Sequence, residues 1–139
     1  MRHPVTRAAA QQRFAHPVRA ALLALAADAA LVLLFSGLGR GSHAREATVL
    51  GLLETAWPFL AGLAITWISA RISQRPLAVL NSGLPVWIGA AGIGLLLRWW
   101  TGGGVALPFV IVTFLTLGLF LIGWRAIAAL VIRLRAPRA

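Results

Sequence analysis

Four long stretches of mostly apolar residues dominate this sequence. A hydrocarbon core about 30 Å thick requires roughly 20 apolar residues in a helix to cross it. The stretches that meet or approach this length are residues 20–38, 48–68, 82–97 and 105–132. They predict an all-α fold, a polytopic membrane protein whose four transmembrane helices form a bundle.

The overall composition agrees with a lipid environment. The chain is 60% hydrophobic and 12% charged, whereas about a quarter of the residues of a soluble domain are charged. The net charge of +10 raises the question of a nucleic-acid partner. Nucleic-acid binding requires basic residues gathered on one solvated face, but most of the arginines here flank the apolar stretches. We therefore expect the lipid bilayer, and no nucleic acid, as the partner.

The positions of the arginines also predict an orientation. We expect a basic N-terminal tail (1–19), a four-helix transmembrane domain (20–132) and a basic C-terminal tail (133–139). The tails and the middle loop hold nine arginines, and the first and third loops hold three. Cytoplasmic loops carry the excess of positive charge, so both termini are predicted to be cytoplasmic in a protein of the plasma membrane. A cleaved signal peptide is a poor alternative for the first span, because the apolar run is too long and contains Asp28.

Two ionisable residues lie inside the predicted spans at matching depths. Asp28 is about eight residues into the first span and Arg125 about seven from the cytoplasmic end of the fourth, so both are roughly 10 to 12 Å deep. A charge at such a depth is costly and is expected to find a partner inside the bundle. Asp28 and Arg125 are therefore predicted to pair. The pair either fixes the helix packing or serves as a proton or ion relay, and the sequence leaves both interpretations open.

A second pair is predicted near the outer side, between Glu54 of the second span and Arg98 at the end of the third. Small residues share the predicted faces of these charges, which favours close packing of the two helices. Pro58 removes the hydrogen bond to the carbonyl of Glu54. That carbonyl and the Glu54 carboxylate together could bind a cation or a proton, or the proline could form a kink compensated by Thr55 or a neighbouring helix.

Other residues carry weaker signals. Trp67 and Trp124 fall near span ends, where indole rings favour the headgroup region, whereas Trp57 lies deeper.

The first loop, around Arg40 and His43, could cradle an anion or could be a flexible turn. His43 and Glu46 have a spacing that metal ligands use, but a third ligand is missing. Cysteine is absent, and no nucleophile, base and acid are spaced to meet, so we expect a non-enzyme without a metal or cofactor site.

Several short motifs stand out together. They are Asp28, Gly39-Arg40 with Ser42-His43, Thr55-Ala56-Trp57-Pro58-Phe59, Gly94 with Arg98, and Gly123-Trp124-Arg125. With these motifs the chain resembles a family of small four-span prokaryotic membrane proteins, domain of unknown function 3054. The resemblance implies the four-helix architecture and marks these positions as the polar set of the family. It implies no activity.

Two classes of function compete on this basis. In the first, the protein is a small carrier or channel subunit in which Asp28, Glu54, Arg98 and Arg125 line a polar path, within a homo-oligomer. In the second, it is a non-catalytic scaffold or accessory subunit whose buried charges only fix helix packing. A lipid-modifying enzyme has less support. The deciding observation is whether the charges converge on a hydrated cavity or are sealed in dry packing, and the sequence identifies no ligand.

Overall fold

The computed structural model describes residues 7–41 and 48–138, with side chains from 16–40 and 48–138. Within these residues the chain forms four α-helices joined by short connections. The helices are α1 (Arg7–Gly41), α2 (Val49–Ser69), α3 (Gly83–Trp100) and α4 (Leu107–Arg135). The described part contains no strand, and all four helices are long and apolar enough to cross a membrane. The predicted all-α membrane architecture is therefore confirmed.

The first and last helices extend beyond the predicted spans. Helix α1 begins at Arg7, so much of the segment that we predicted as a tail is helical, while its apolar part is His16–Arg40. The extension is rich in alanine, glutamine and arginine, which are strong helix formers. Helix α4 continues to Arg135, with Arg133 and Arg135 in its last turn, where positive charge is favourable next to the helix dipole.

The connection between α2 and α3 packs back onto the end of the bundle. It contains a short 3₁₀ helix, Ile72–Gln74, which follows Arg71 in a left-handed conformation with φ of 51°. The Ile72 side chain is 1% exposed and joins the core. The middle loop is therefore a packed part of the fold that closes the bundle at the end where α3 and α4 carry Gly83 and Arg125.

Helices α2 and α3 form the most extensive interface of the bundle. A Cβ atom at Gly62 of α2 would lie 2.8 Å from the carbonyl oxygen of Gly89 of α3. A Cβ atom at Gly94 would likewise lie 3.0 Å from the Cα atom of Phe59. The expected close approach of two small-residue faces is confirmed, and van der Waals packing of this kind holds membrane helices together.

Replacement of Gly94 by alanine should therefore destabilise the protein. The added methyl group would meet the Phe59 side chain and backbone, and overpacking of a close interface typically costs about 1 to 3 kcal/mol. Gly92, two positions away on α3, has open space where a methyl group would lie, with no neighbouring atom within 4 Å. Thermal unfolding in detergent should show a clear loss for Gly94→Ala and no loss for Gly92→Ala. Equal stability of the two variants would contradict the packing described here.

Candidate functional site

Asp28 of α1 and Arg125 of α4 form a bidentate ion pair inside the bundle. Arg125 Nη1 lies 2.7 Å from Asp28 Oδ1, and Nη2 lies 2.7 Å from Oδ2. Both side chains are 0% exposed. The contact that the matching depths predict is thus present, in the two-pronged geometry that gives an arginine and a carboxylate the strongest and most directional pairing.

Two tryptophans complete the surroundings of the carboxylate. The indole nitrogen of Trp67 donates to Asp28 Oδ2 over 2.9 Å, and that of Trp124 donates to Oδ1 over 2.8 Å. Each carboxylate oxygen therefore accepts two hydrogen bonds. The guanidinium of Arg125 also lies over the Trp124 ring, 4.7 Å from its centroid, which adds a cation–π contact. The charge of Asp28 on α1 is thus stabilised by donors from α2 and α4.

The remaining hydrogen-bonding capacity of Arg125 is directed to backbone carbonyls. Its Nε donates to the carbonyl of Pro76 over 2.9 Å, and its Nη1 also donates to the carbonyl of Leu121 over 2.9 Å. These two bonds and the two to Asp28 use four of the five N–H groups that a guanidinium carries. Pro76 belongs to the packed middle loop, so that loop provides part of the site.

The antiparallel course of the helices explains why these residues meet. Asp28 lies midway along the apolar part of α1, Trp67 lies near the end of α2, and Arg125 lies ten residues before the end of α4. The middle loop packs at the same level, because the carbonyl of Pro76 reaches Arg125. Removing one partner of a buried ion pair costs about 3 to 5 kcal/mol, because the other charge is then left without compensation. The site therefore links α1, α2, α4 and the middle loop through one ion pair.

The predicted pair between Glu54 and Arg98 is wrong. Glu54 is exposed on α2, and Arg98 donates instead to the carbonyl of Gly104 over 2.9 Å and lies over Phe109, 4.9 Å from the ring centroid. At 100° per residue, Glu54 lies about 130° from the middle of the buried face of α2. The prediction grouped Glu54 with Gly51, three residues earlier, and so placed Glu54 on the buried face of α2. Gly51 lies at the edge of that face, and Glu54 lies beyond the edge, on the exposed side.

The proposed polar site at Pro58 is not formed either. Pro58 is buried within a continuous helix α2, while the Glu54 side chain lies on the exposed side. The hydroxyl of Thr55 donates to the carbonyl of Gly51 over 3.0 Å, so it does not compensate the carbonyl of Glu54. Trp57 is 43% exposed and lies on the outer surface of the helix.

A second polar cluster lies at the opposite end of the bundle, around Arg40. Arg40 Nη1 donates to the carbonyl of Gly51 over 2.9 Å and to Thr55 Oγ1 over 3.2 Å. Together with Arg98 it borders a cavity of about 710 Å³. The other described residues lining this cavity are Phe35, Ser36, Gly39, Thr55, Ala106, Pro108, Phe109 and Val112. The sequence predicted a cationic first loop, but it gave no indication of this cavity.

The predicted loop residue His43 and its neighbour Glu46 lie outside the described residues. Within residues 7–41 and 48–138, no group of three or more histidine, cysteine, aspartate or glutamate side chains could hold a metal ion.

The fold and the buried site define a class: a multi-pass membrane protein with four helices and an internal ion pair. The chain belongs to the family described as protein of unknown function (DUF3054), whose model matches residues 25–128. No curated protein and no solved structure matches the chain. The expected family is therefore confirmed, and the match spans all four helices.

Sequence reasoning missed three contributors to the site: Trp67, Trp124 and the carbonyl of Pro76. The tryptophans were predicted to lie in the headgroup region, but both donate to the buried carboxylate. Trp124 is adjacent to Arg125 and therefore lies at the same predicted depth, so the sequence contained a signal for it. Trp67 is one residue from the end of the predicted second span, and the depth comparison gave no signal for it. Nothing in the sequence indicated a role for Pro76, because its carbonyl reaches Arg125 only when the middle loop packs onto the end of the bundle.

Replacement of Trp67 by phenylalanine should lower the free energy of unfolding. The change removes one donor to a buried carboxylate, and hydrogen bonds to charged groups contribute about 1.5 to 3 kcal/mol each. Trp57→Phe is the matched control, because Trp57 lies on the same helix and is 43% exposed. Chemical unfolding in detergent should separate the two variants clearly. A Trp67→Phe protein no less stable than Trp57→Phe would contradict the assigned hydrogen bond.

Proposed function

We propose that this protein is a non-catalytic membrane scaffold or accessory subunit, in which the ion pair between Asp28 and Arg125 fixes the packing of the helices. Its termini are cytoplasmic and its location is the plasma membrane, in accord with the distribution of arginine. The observation that carries the proposal is the complete enclosure of the pair, since both side chains are 0% exposed.

The hydrogen bonds of the pair support a structural role. The carboxylate of Asp28 accepts two N–H groups at each oxygen. A group that binds and releases a proton or an ion needs a free acceptor position, whereas four protein donors occupy the two oxygens of this carboxylate. Buried polar networks whose members are satisfied in this way rigidify a core and specify one arrangement.

The packing between the two ends of the bundle also favours this role over a carrier or channel. Val32 lies one helical turn from Asp28 on one side and one turn from Ser36, at the cavity, on the other. Val32 and Leu117 are 0% exposed and Leu63 is 2% exposed. These apolar side chains from three helices separate the ion pair from the cavity, and Glu54 lies outside the bundle. The four charges thus occupy three separate places instead of one path.

A double-mutant cycle tests the structural role. Asp28→Asn and Arg125→Gln should each lower the free energy of unfolding by about 3 to 5 kcal/mol, because each leaves its partner buried and uncompensated. The double variant should recover part of this loss, since it leaves no lone charge. Arg133→Gln, on the same helix but exposed, is the control and should be neutral. The measurement is thermal or chemical unfolding in detergent, and a single variant as stable as the wild type would overturn the role.

Reconstitution in liposomes tests the carrier alternative directly. We expect no proton or ion flux above that of empty liposomes, under a pH gradient or a membrane potential. A flux that Asp28→Asn abolishes in a protein that remains folded would establish the relay and refute the scaffold proposal.

A further inference from the structure

Glu54 is an acidic residue on the lipid-facing side of a membrane helix. Helix α2 has 21 residues, about the number that a hydrocarbon core of roughly 30 Å requires, so the whole helix lies within the bilayer. Glu54 is roughly 7 to 8 Å from the start of the helix, at 1.5 Å per residue. Its side chain is exposed, and none of the residues that the structure describes gives its carboxylate a hydrogen bond or an ion pair. Charges within membrane spans almost always have a partner, and the bundle alone does not provide one here.

Glu54 belongs to a regular row of residues along the exposed side of α2. The row, which we call the α2 seam, alternates spacings of four and three and consists of Leu50, Glu54, Trp57, Ala61, Ala64 and Ile68. At 100° per residue it is centred roughly 180° from the buried face of the helix. This spacing is that of the a and d positions along which a second helix packs. Ala61 and Ala64 are small enough to let the backbone of such a helix approach closely.

Charge complementarity identifies the chemistry of the helix that fits this seam. A carboxylate surrounded by apolar side chains is stabilised by a cationic group at the same depth, through charge-assisted hydrogen bonds. A single polar residue in a helical seam also sets the register and the choice of partner. The α2 seam therefore fits a transmembrane helix that carries an arginine or a lysine opposite Glu54.

A second copy of this chain does not supply that cation. Copies of one chain share an orientation in the membrane, since the distribution of arginine sets it. A symmetric pair of seams would thus bring Glu54 against its own copy, as two like charges. Arg40 and Arg98, which lie at the Glu54 end of the bundle, line the cavity. The exposed arginines among the described residues lie toward the other end; they are Arg19, Arg71, Arg75, Arg133, Arg135 and Arg138.

We propose that the α2 seam binds a transmembrane helix of a different protein, with a basic residue of that helix paired to Glu54. This binding mode rests on the accessory role proposed above, and it names the chemistry of the partner. Glu54 lies on the outer side of α2 and makes no described contact with the ion pair of Asp28 and Arg125. Its replacement should therefore leave the stability of the bundle unchanged.

Energy transfer between the labelled protein and synthetic transmembrane peptides in liposomes tests the proposal. The peptides are helices of alanine and leucine that differ in one residue at the depth of Glu54, which is arginine, glutamate or leucine. The arginine peptide should bind about tenfold more tightly than the leucine peptide, as expected for one charge-assisted contact. Glu54→Gln should remove this difference, and Glu54→Arg should transfer the preference to the glutamate peptide. Unfolding in detergent checks that both variants are as stable as the wild type.

A second pair of variants tests the position of the bound helix. Ala61→Phe should fill the seam and weaken binding of the arginine peptide, whereas Ala30→Phe, the same change on the exposed side of α1, should not. Equal binding of the arginine and leucine peptides would overturn the proposal, and so would equal effects of the two phenylalanine variants. Energy transfer between two copies of this chain that requires Glu54 would also overturn it, because a second copy would then occupy the seam. Each of these results leaves the scaffold role intact, which fails only if Asp28→Asn is as stable as the wild type.

Discussion

The bidentate ion pair between Asp28 and Arg125 is the interaction on which the packing of this bundle depends. It brings a full negative and a full positive charge into a part of the protein where neither side chain is exposed. Such a pair is tolerated only if the geometry is good and the remaining donors and acceptors are satisfied. Trp67, Trp124 and the carbonyl of Pro76 meet that requirement, and in doing so they fix α2, α4 and the middle loop around α1.

The two ends of the molecule are consequently different. At one end the ion pair and the middle loop close the bundle, and α1 and α4 are held together. At the other end the same two helices border a cavity with two arginines in its wall. The apolar layer between the ends keeps the two polar regions separate.

Sequence reasoning predicted the fold well and the site in part. The lengths of the apolar stretches predicted four helices. The equal depths of Asp28 and Arg125 in antiparallel spans predicted that these two residues pair. The same reasoning failed for Glu54 and Arg98, because depth does not specify rotation about the helix axis. An offset of three residues from Gly51 was compatible with a shared face, but the buried face of α2 is centred elsewhere. Small residues predicted the close α2–α3 contact, since small side chains let two helix backbones approach each other.

The sequence by itself determined that the chain lies in a membrane, that it has four helices and that Asp28 needs a partner. These properties follow from the cost of exposing apolar surface to water and an unpaired charge to lipid, and both costs depend on composition and position along a helix. Only the tertiary structure decided which face of each helix is buried, that a loop carbonyl binds Arg125, and that a cavity lies beside Arg40. Those features depend on the rotation and separation of helices, which arise from the packing of all the side chains together.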